Sequence, residues 1–352
     1  MLHLHNFQST NKDQLNPCII ASAPTKRLIH CGFHFSYKHI QPGAAQHIPT
    51  LFVSGAFQSM QSWYRFARYF IEQGKPVIIV DLPGTGASDP LPTSFGQDFL
   101  AETIGVMLDD AGIERVSIVA ASYGTPTAYC FAQFFPHRVD NLVLCGTMKE
   151  IPEHLRAGVA HTLIPLRNGD MGQFANEVLG ISGPQKGNGL LCTDTTKRVE
   201  RHKLAKRLLY SQLVNMNKLD RHKYELNTLR LLQHGKINLN STPSCNTLIF
   251  TGEHDCFTLP AFCKEIADAF PACTFTTIRH ADHLFHIEQF ETTSELLYRF
   301  SYNLPIEKVP QLNQIERVGK IYRTSQGSAQ PANNPPQRQP QPVNNHSFSE
   351  AA

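Results

Sequence analysis

Val116-Ser-Ile-Val-Ala-Ala-Ser-Tyr-Gly124 is an apolar, β-branched run that ends on a serine set between small residues. A run this short and this continuous predicts a strand buried on both faces. Ala120 and Gly124, two positions either side of Ser122, would let that strand and a following helix approach closely. A sharp turn of this kind lifts a serine hydroxyl above a sheet edge and exposes it as a nucleophile. Taken alone, the pattern equally describes a serine in an ordinary strand-to-helix turn, so the neighbouring segments must separate the two.

Upstream, Arg27 to Cys31 and Phe33 to Ile40 read as short strands joined at Gly32, an antiparallel opening. Thr50-Leu-Phe-Val53 and Pro76-Val-Ile-Ile-Val-Asp81 are further buried strands. Between them Trp63, Phe66, Ala67 and Phe70 recur at helical spacing, as do Leu100, Ile104, Met107, Leu108 and Ala111 later. Leu142-Val-Leu-Cys145 follows the helix expected beyond Gly124. From residue 148 to 240 this strand type gives way to helical pattern rich in basic residues. Asn246-Thr-Leu-Ile-Phe250, a helix near Phe262 to Phe270, and a last strand over Thr274 to Ile278 then resume it. Strands alternating with helices predict an α/β fold with a mostly parallel sheet flanked by helices. The organisation expected is an N-terminal extension over residues 1–25, partly disordered; a core over 26–147; a helical cap insertion over 148–240; and the second part of the core over 241–304. Residues 305–352 read as a disordered tail. Its Pro, Gln and Asn content, as in Gln330-Pro-Ala-Asn-Asn-Pro-Pro-Gln-Arg-Gln-Pro340, offers little apolar surface to bury.

Composition narrows the function classes. The net charge is +3 over 352 residues, too mild to make nucleic acid the main partner. Nine cysteines are scattered without a Cys-x-x-Cys pair, which predicts free thiols in a reducing compartment rather than a disulfide framework. No apolar run reaches the length of a transmembrane span, and the first residues lack the basic start and apolar stretch of a signal peptide. These features together predict a soluble, cytoplasmic protein.

A serine hydroxyl needs a base to take its proton and an acid to hold that base in the correct tautomer. In a fold of this type the acid sits just past a late strand and the histidine past the final one. Asn246 to Phe250 runs into Thr251-Gly-Glu-His-Asp255, which makes Asp255 the acid. Thr274 to Ile278 runs into Arg279-His-Ala-Asp-His283, which makes His283 the base. His286 lies a turn later than the loop demands, and Glu253, His254 and His280 read as surface or supporting residues. The oxyanion of an acyl intermediate would be met by backbone N–H groups of Tyr123, next to the nucleophile, and of Ala56, after the turn at Ser54-Gly55.

Four motifs in order carry a resemblance: Val53-Ser-Gly-Ala56, Asp81-Leu-Pro-Gly-Thr-Gly-Ala-Ser88, Ala120-Ala-Ser-Tyr-Gly124, and Asp255 with His283-Leu-Phe-His-Ile-Glu288. Together they resemble the α/β-hydrolase superfamily. Within it the chain looks most like the 3-(3-hydroxyalkanoyloxy)alkanoate synthases of rhamnolipid biosynthesis. It is also similar to the related 3-hydroxyacyl-carrier-protein acyltransferases and thioesterases. The finer likeness rests on Ser54-Gly55-Ala56, on Ala121-Ser-Tyr-Gly124 and on Phe174-Ala-Asn-Glu-Val-Leu-Gly180. It implies Ser122, Asp255 and His283 as a catalytic triad acting on a hydroxyacyl thioester. Three positions depart from those relatives: Thr125 stands where Gly is common, Asp282 precedes His283 where Gly is usual, and Ser54 replaces the common His or Asn.

Rival readings have less support. Gly84-Thr-Gly86 after a strand suggests a dinucleotide loop, but Asp89 stands where a third glycine is needed and Pro90 leads into a loop. No cofactor is expected. No metal-ligand spacing is evident either, since His3 with His5, and His280 with His283, lack an adjacent third ligand. A general carboxylesterase or lipase-like hydrolase would use the same triad, and a catalytically inactive binding protein would need none of it. Lys197, Arg198, Arg201, Lys203, Lys206 and Arg207 stand against one acid, Glu200, in the cap. With Leu204 and Leu208 packed on the core, these cations would face outward. There they would form either a solvated face or a docking surface for an acidic acyl carrier protein.

Overall fold

A computed structural model of the chain describes residues 18–44 and 46–319. The strands are β1 (Lys26–His30), β2 (Phe33–Ile40), β3 (Thr50–Val53), β4 (Val77–Asp81), β5 (Val116–Ala121), β6 (Val139–Cys145), β7 (Asn246–Gly252), β8 (Ala272–Ile278) and β9 (Glu316–Gly319). They form one sheet in the order β1-β2-β4-β3-β5-β6-β7-β8-β9, parallel from β4 through β8. The edge strands β1, β2 and β9 run antiparallel to their neighbours.

The helices are α1 (Cys18–Ser22), α2 (Tyr64–Glu72), α3 (Gln97–Asp110), α4 (Thr125–Phe134), α5 (Glu153–His161), α6 (Leu163–Asn168), α7 (Met171–Val178), α8 (His202–Val214), α9 (Lys218–His234), α10 (Pro260–Ala269), α11 (Phe285–Glu288) and α12 (Phe290–Ser301). Among the described residues, no helix is long and apolar enough to cross a membrane. Alternation along the central strands explains why they read as unbroken apolar runs. Leu51, Ile78, Val80 and Ile118 face a core shared with α3, α4 and α10. Phe52, Val77, Ile79 and Val119 face the opposite core, built with α2 and α12. Both faces are therefore covered, as parallel sheets require.

Helices α5 to α9 all fall between β6 and β7. Three of them, α6 to α8, pack a small core of their own around Leu163, Phe174, Leu179, Leu209 and Leu213. The inward stripe of α8 is Ala205, Leu209 and Leu213, whereas Leu204 and Leu208 are 37% and 48% exposed. This corrects the expectation that Leu204 and Leu208 pack on the core. The pair lies one position out of register with the buried stripe, a rotation of about 100° on a helix of 3.6 residues per turn.

Residues 18–25 and 305–319 carry more structure than composition predicts. Residues 18–25 are not an unstructured extension: Ile20 is buried, and the Lys38 ammonium donates to the carbonyls of Ala21 and Ala23. At the other end, β8 is not the last strand and the fold does not stop at residue 304. Ile306 and Val309 are buried, Leu312 and Ile315 pack against the same core, and Glu316–Gly319 pairs along β8. Four apolar residues at intervals of three are diluted by the polar composition around them, which is why an average over the whole tail misses them. The rest of the expected tail, residues 320–352, lies outside the described residues, as do residues 1–17.

A chain ended after Leu304 should unfold more readily than one ended after Gly319, by about 3 kcal/mol or more for the lost burial of Ile306 and Val309. Equal denaturation midpoints for the two would show that residues 305–319 add nothing to the fold.

Candidate active site

Ser122 sits where β5 turns into α4 with φ of +44°, the left-handed region that a residue with a Cβ rarely occupies. The turn is tight because Gly124 lies against the β3 backbone. A Cβ there would fall 2.6 Å from the Ser54 carbonyl oxygen. The strain projects the Ser122 hydroxyl off the carboxyl end of the sheet, into a cavity of about 1090 Å³.

Two loops at the same end of the sheet supply its partners. His283 Nε2 lies 3.1 Å from Ser122 Oγ, placed to accept the hydroxyl proton. Its Nδ1–H donates to Asp255 Oδ2 at 2.8 Å, which fixes the tautomer that leaves Nε2 unprotonated. Asp255 is itself held by the amides of Phe257 and Thr258 at 2.9 and 2.8 Å and by the hydroxyls of Thr251 and Thr258. The structure thus brings together Ser122, His283 and Asp255, from β5, β8 and β7. His286 lies on α11 and lines the cavity, but no hydrogen bond joins it to Ser122. Burial and the neighbouring His283 push its pKa down to about 4, so it is neutral.

Electrostatics poise the pair. Burial alone would raise the Asp255 pKa, but the His283 charge, the hydrogen bond to it and the two threonine hydroxyls together take it below the ordinary carboxylate value. For His283 burial works against the imidazolium. The Asp255 charge and hydrogen bond outweigh it, Asp282 adds to them, and the pKa rises above its usual value.

Ala56 lines the cavity beside Ser122 and Tyr123, in a turn where the Gly55 amide donates to Gln58 Oε1 and Phe57 has φ of +62°. No acceptor among the described residues takes the Ala56 amide, which leaves it able to meet an oxyanion. The three departures noted from sequence all have partners. Ser54 Oγ accepts from the Trp63 indole at 3.1 Å, and the Thr125 hydroxyl donates to the Ser122 carbonyl at 2.8 Å. Asp282, fully buried, accepts from the amides of Cys192 and Leu284 and so ties a cap loop to the histidine loop. Gly84-Thr-Gly86 is a packed turn, its space filled by the buried Asp81 carboxylate. That group accepts from the amides of Met60 and Ala87, and it would lie 2.0 Å from a Cβ on Gly86, where φ is +47°.

Sequence reasoning did not find Thr251 and Thr258, or the cap residues Lys223, Asn227 and Arg230. The Arg230 guanidinium donates to Tyr123 Oη at 3.0 Å and to Asn227 Oδ1 at 2.6 Å, so the cap grips the residue after the nucleophile. Nothing in the spacing of these polar residues marks them as inward-facing.

A family model described as alpha/beta hydrolase fold matches residues 49–290. Over 86 residues the chain is 41% identical to a 2-hydroxy-6-oxononadienedioate/2-hydroxy-6-oxononatrienedioate hydrolase of Paraburkholderia phymatum. That match covers 24% of this chain and 30% of that protein, so the chain spans about a third of the length of the curated relatives it matches. Among solved structures it is similar to a thermophilic esterase from Thermogutta terrifontis, with a TM-score of 0.64 and 19% identity, covering 80% of this chain and 99% of that one. It is also similar to the enol-lactonase of Burkholderia xenovorans, with a TM-score of 0.64 and 17% identity, covering 78% and 99%. At these identities the structural likeness shows the fold.

If Nε2 of His283 takes the hydroxyl proton, kcat/KM should rise with pH through a midpoint above the ordinary histidine value of about 6.5. The sign follows from the raised pKa: the imidazolium, which cannot accept a proton, persists to higher pH. Asp282→Asn should move the midpoint down. A profile that is flat between pH 5 and 8 while chemistry limits the rate would remove His283 from the role.

Proposed function

The chain belongs to the alpha/beta hydrolase family, and we propose that it cleaves or transfers acyl groups of esters or thioesters, with Ser122 as nucleophile, His283 as general base and Asp255 orienting the imidazole. One observation carries this reading: Ser122 Oγ lies 3.1 Å from a histidine nitrogen whose other nitrogen is bound to a buried carboxylate. Attack by Oγ on the acyl carbonyl carbon passes the hydroxyl proton to His283 Nε2. The oxyanion is met by the N–H groups of Ala56 and Tyr123. Collapse of the intermediate expels the alcohol or thiol, which takes the proton from Nε2. An acyl-serine then remains for water or another hydroxyl to attack, the same histidine serving as base.

The substrate is proposed to be a 3-hydroxyacyl thioester. The motif resemblance supports this, and so does the cavity, whose wall includes Leu190, Leu208, Leu209, Met216 and Leu219. Its lysines are already engaged: Lys223 donates to the Gly86 carbonyl and Lys38 to backbone carbonyls. A neutral acyl chain suits this apolar part of the wall, whereas a dianion such as the oxononadienedioate in the name of the curated relatives would have to draw on Arg27, a cation elsewhere on the wall. All eight cysteines whose side chains are described are free, which supports a reducing, cytoplasmic setting.

An acidic carrier protein is the proposed donor. Arg198 pairs with Glu200 and Arg201 with Glu291. Lys203, Lys206 and Arg207 remain exposed on α8 without an ion pair among the described residues, on the helix whose Leu208 and Leu209 line the cavity.

Ser122→Ala should lower kcat by ~10⁴ or more with the fold intact and abolish fluorophosphonate labelling. Mass spectrometry of products from 3-hydroxyacyl thioesters, simple esters and the dienedioate ranks the substrates. Efficient turnover of the dienedioate alone would overturn the thioester proposal. Replacing Lys203, Lys206 and Arg207 with Glu should raise KM for carrier-protein thioesters, most at low salt, and leave a small neutral ester unaffected. An equal response of both substrates would exclude docking at α8.

A further inference from the structure

The loops after β7 and β8 bring together three side chains that the hydrolytic reading does not use. Glu253 and His254 follow β7, and His280 follows β8. One ligand atom from each lies within 4.8 Å of the other two, and among the described residues no other three His, Cys, Asp or Glu meet in this way. We propose that Glu253, His254 and His280 bind a divalent transition-metal cation, zinc by the character of the donors.

Two imidazole nitrogens and a carboxylate oxygen are a zinc donor set, and a fourth position is left for water. Tetrahedral zinc with bonds of roughly 2.0–2.1 Å holds its ligand atoms about 3.3–3.5 Å apart. Here His254 Nε2 and Glu253 Oε2 are 3.8 Å apart, so closure needs movements on the order of 1 Å, within reach of side-chain rotation.

The backbone holds the three residues in place. Glu253 N–H donates to the Ile278 carbonyl at 2.9 Å and His254 N–H to the Ala281 carbonyl at 2.8 Å. The His280 amide donates to Glu253 Oε2 at 3.0 Å, and its carbonyl accepts from the Glu200 amide at 2.7 Å. His280 also has φ of +54°, in the left-handed region that non-glycine residues occupy infrequently. Its Nδ1 is buried with no hydrogen-bond partner among the described residues, the kind of orphaned group that a bound ion explains. The His254 side chain is only 14% exposed, unlike a solvated surface histidine.

The site is structural rather than catalytic. None of the three residues lines the cavity that holds Ser122. Asp255 follows His254 directly, and His283 lies three residues beyond His280. A cation here would pin the loop of the acid to the loop of the base from the outer side.

The test uses full-length protein stripped with a chelator, in the wild type and in Ser122→Ala, so that its result does not depend on the hydrolytic reading. Zinc titrated against a chromophoric chelator should show one tight equivalent, and cobalt should give the intense visible absorption of a tetrahedral site. Zinc should raise the melting temperature by several degrees. His254→Ala should lose the equivalent, the cobalt bands and the thermal shift. So should His280→Asn, which tolerates the positive φ. The double variant His3→Ala, His5→Ala should keep all three. A wild-type protein that binds no equivalent, or an equivalent that survives both His254→Ala and His280→Asn, overturns the site.

Discussion

A serine held at φ of +44° is stable only where its surroundings over-determine it, at a cost of about 1–2 kcal/mol relative to an unstrained backbone. Here the constraint comes from both sides of the turn. Strand β5 is locked between β3 and β6. Helix α4 packs Ala128, Tyr129 and Phe131 into the core beneath that face of the sheet. The glycine at 124 lets the helix start against the Ser54 carbonyl. The position of the hydroxyl, and everything arranged around it, depends on this one strained residue.

Polar groups on α9 add to apolar contacts such as Tyr224 stacked on Phe57 in fixing the cap over that turn. Lys223, Asn227 and Arg230, at i, i+4 and i+7 on α9, form a buried stripe facing the core. Lys223 and Asn227 donate to the carbonyls of Gly86 and Gly84. Arg230 directs all five of its N–H groups inward: to Phe95, Leu91 and Pro92 carbonyls, to Asn227 and to the Tyr123 hydroxyl. No carboxylate is among these partners, so the charge is solvated by dipoles alone. Such an arrangement holds only with every donor satisfied, which makes it sensitive to geometry and suited to fixing the cap at one height over the cavity.

Acidic groups surround the histidine loop in a graded way. Asp255, rich in donors, is held as a carboxylate, whereas burial and the nearby Asp282 raise the Glu288 pKa to about 10 and keep it protonated. The Asp282 amide donates to Glu288 Oε2 at 2.8 Å, linking the short helix α11 to the loop before it. Burial raises Asp282 itself, and its two oxygens are occupied by the Cys192 and Leu284 amides. Charge next to His283 is therefore supplied mainly by Asp255, the group in direct contact with it.

Local chemistry was legible where it depended on neighbours in the chain. The elbow around Ser122 and the doubly buried strands β3 to β8 followed from apolar runs, small residues and breakers, because steric rules act over a few residues. The order Ser122, Asp255, His283 was legible too, since each residue sits at the carboxyl end of a strand that could be read. Distance along the chain hid the rest. The polar stripe of α9 has the composition of a solvated face, and only the packing of the cap against Gly84 and Gly86 turned it inward. Ile306 and Val309 are too sparse to register in a polar tail until β8 offers a free edge and the core an opening. Glu253 and His254 lie 26 or more residues before His280 in the chain, and they meet because β7 and β8 are parallel neighbours whose ends emerge together. By itself the sequence determined strands β1 to β8 and which serine heads a turn, but not the edge strand β9. Which distant polar groups face one another was decided by the sheet order, because hydrogen bonds and close ion contacts require separations of a few ångströms that chain spacing alone does not encode.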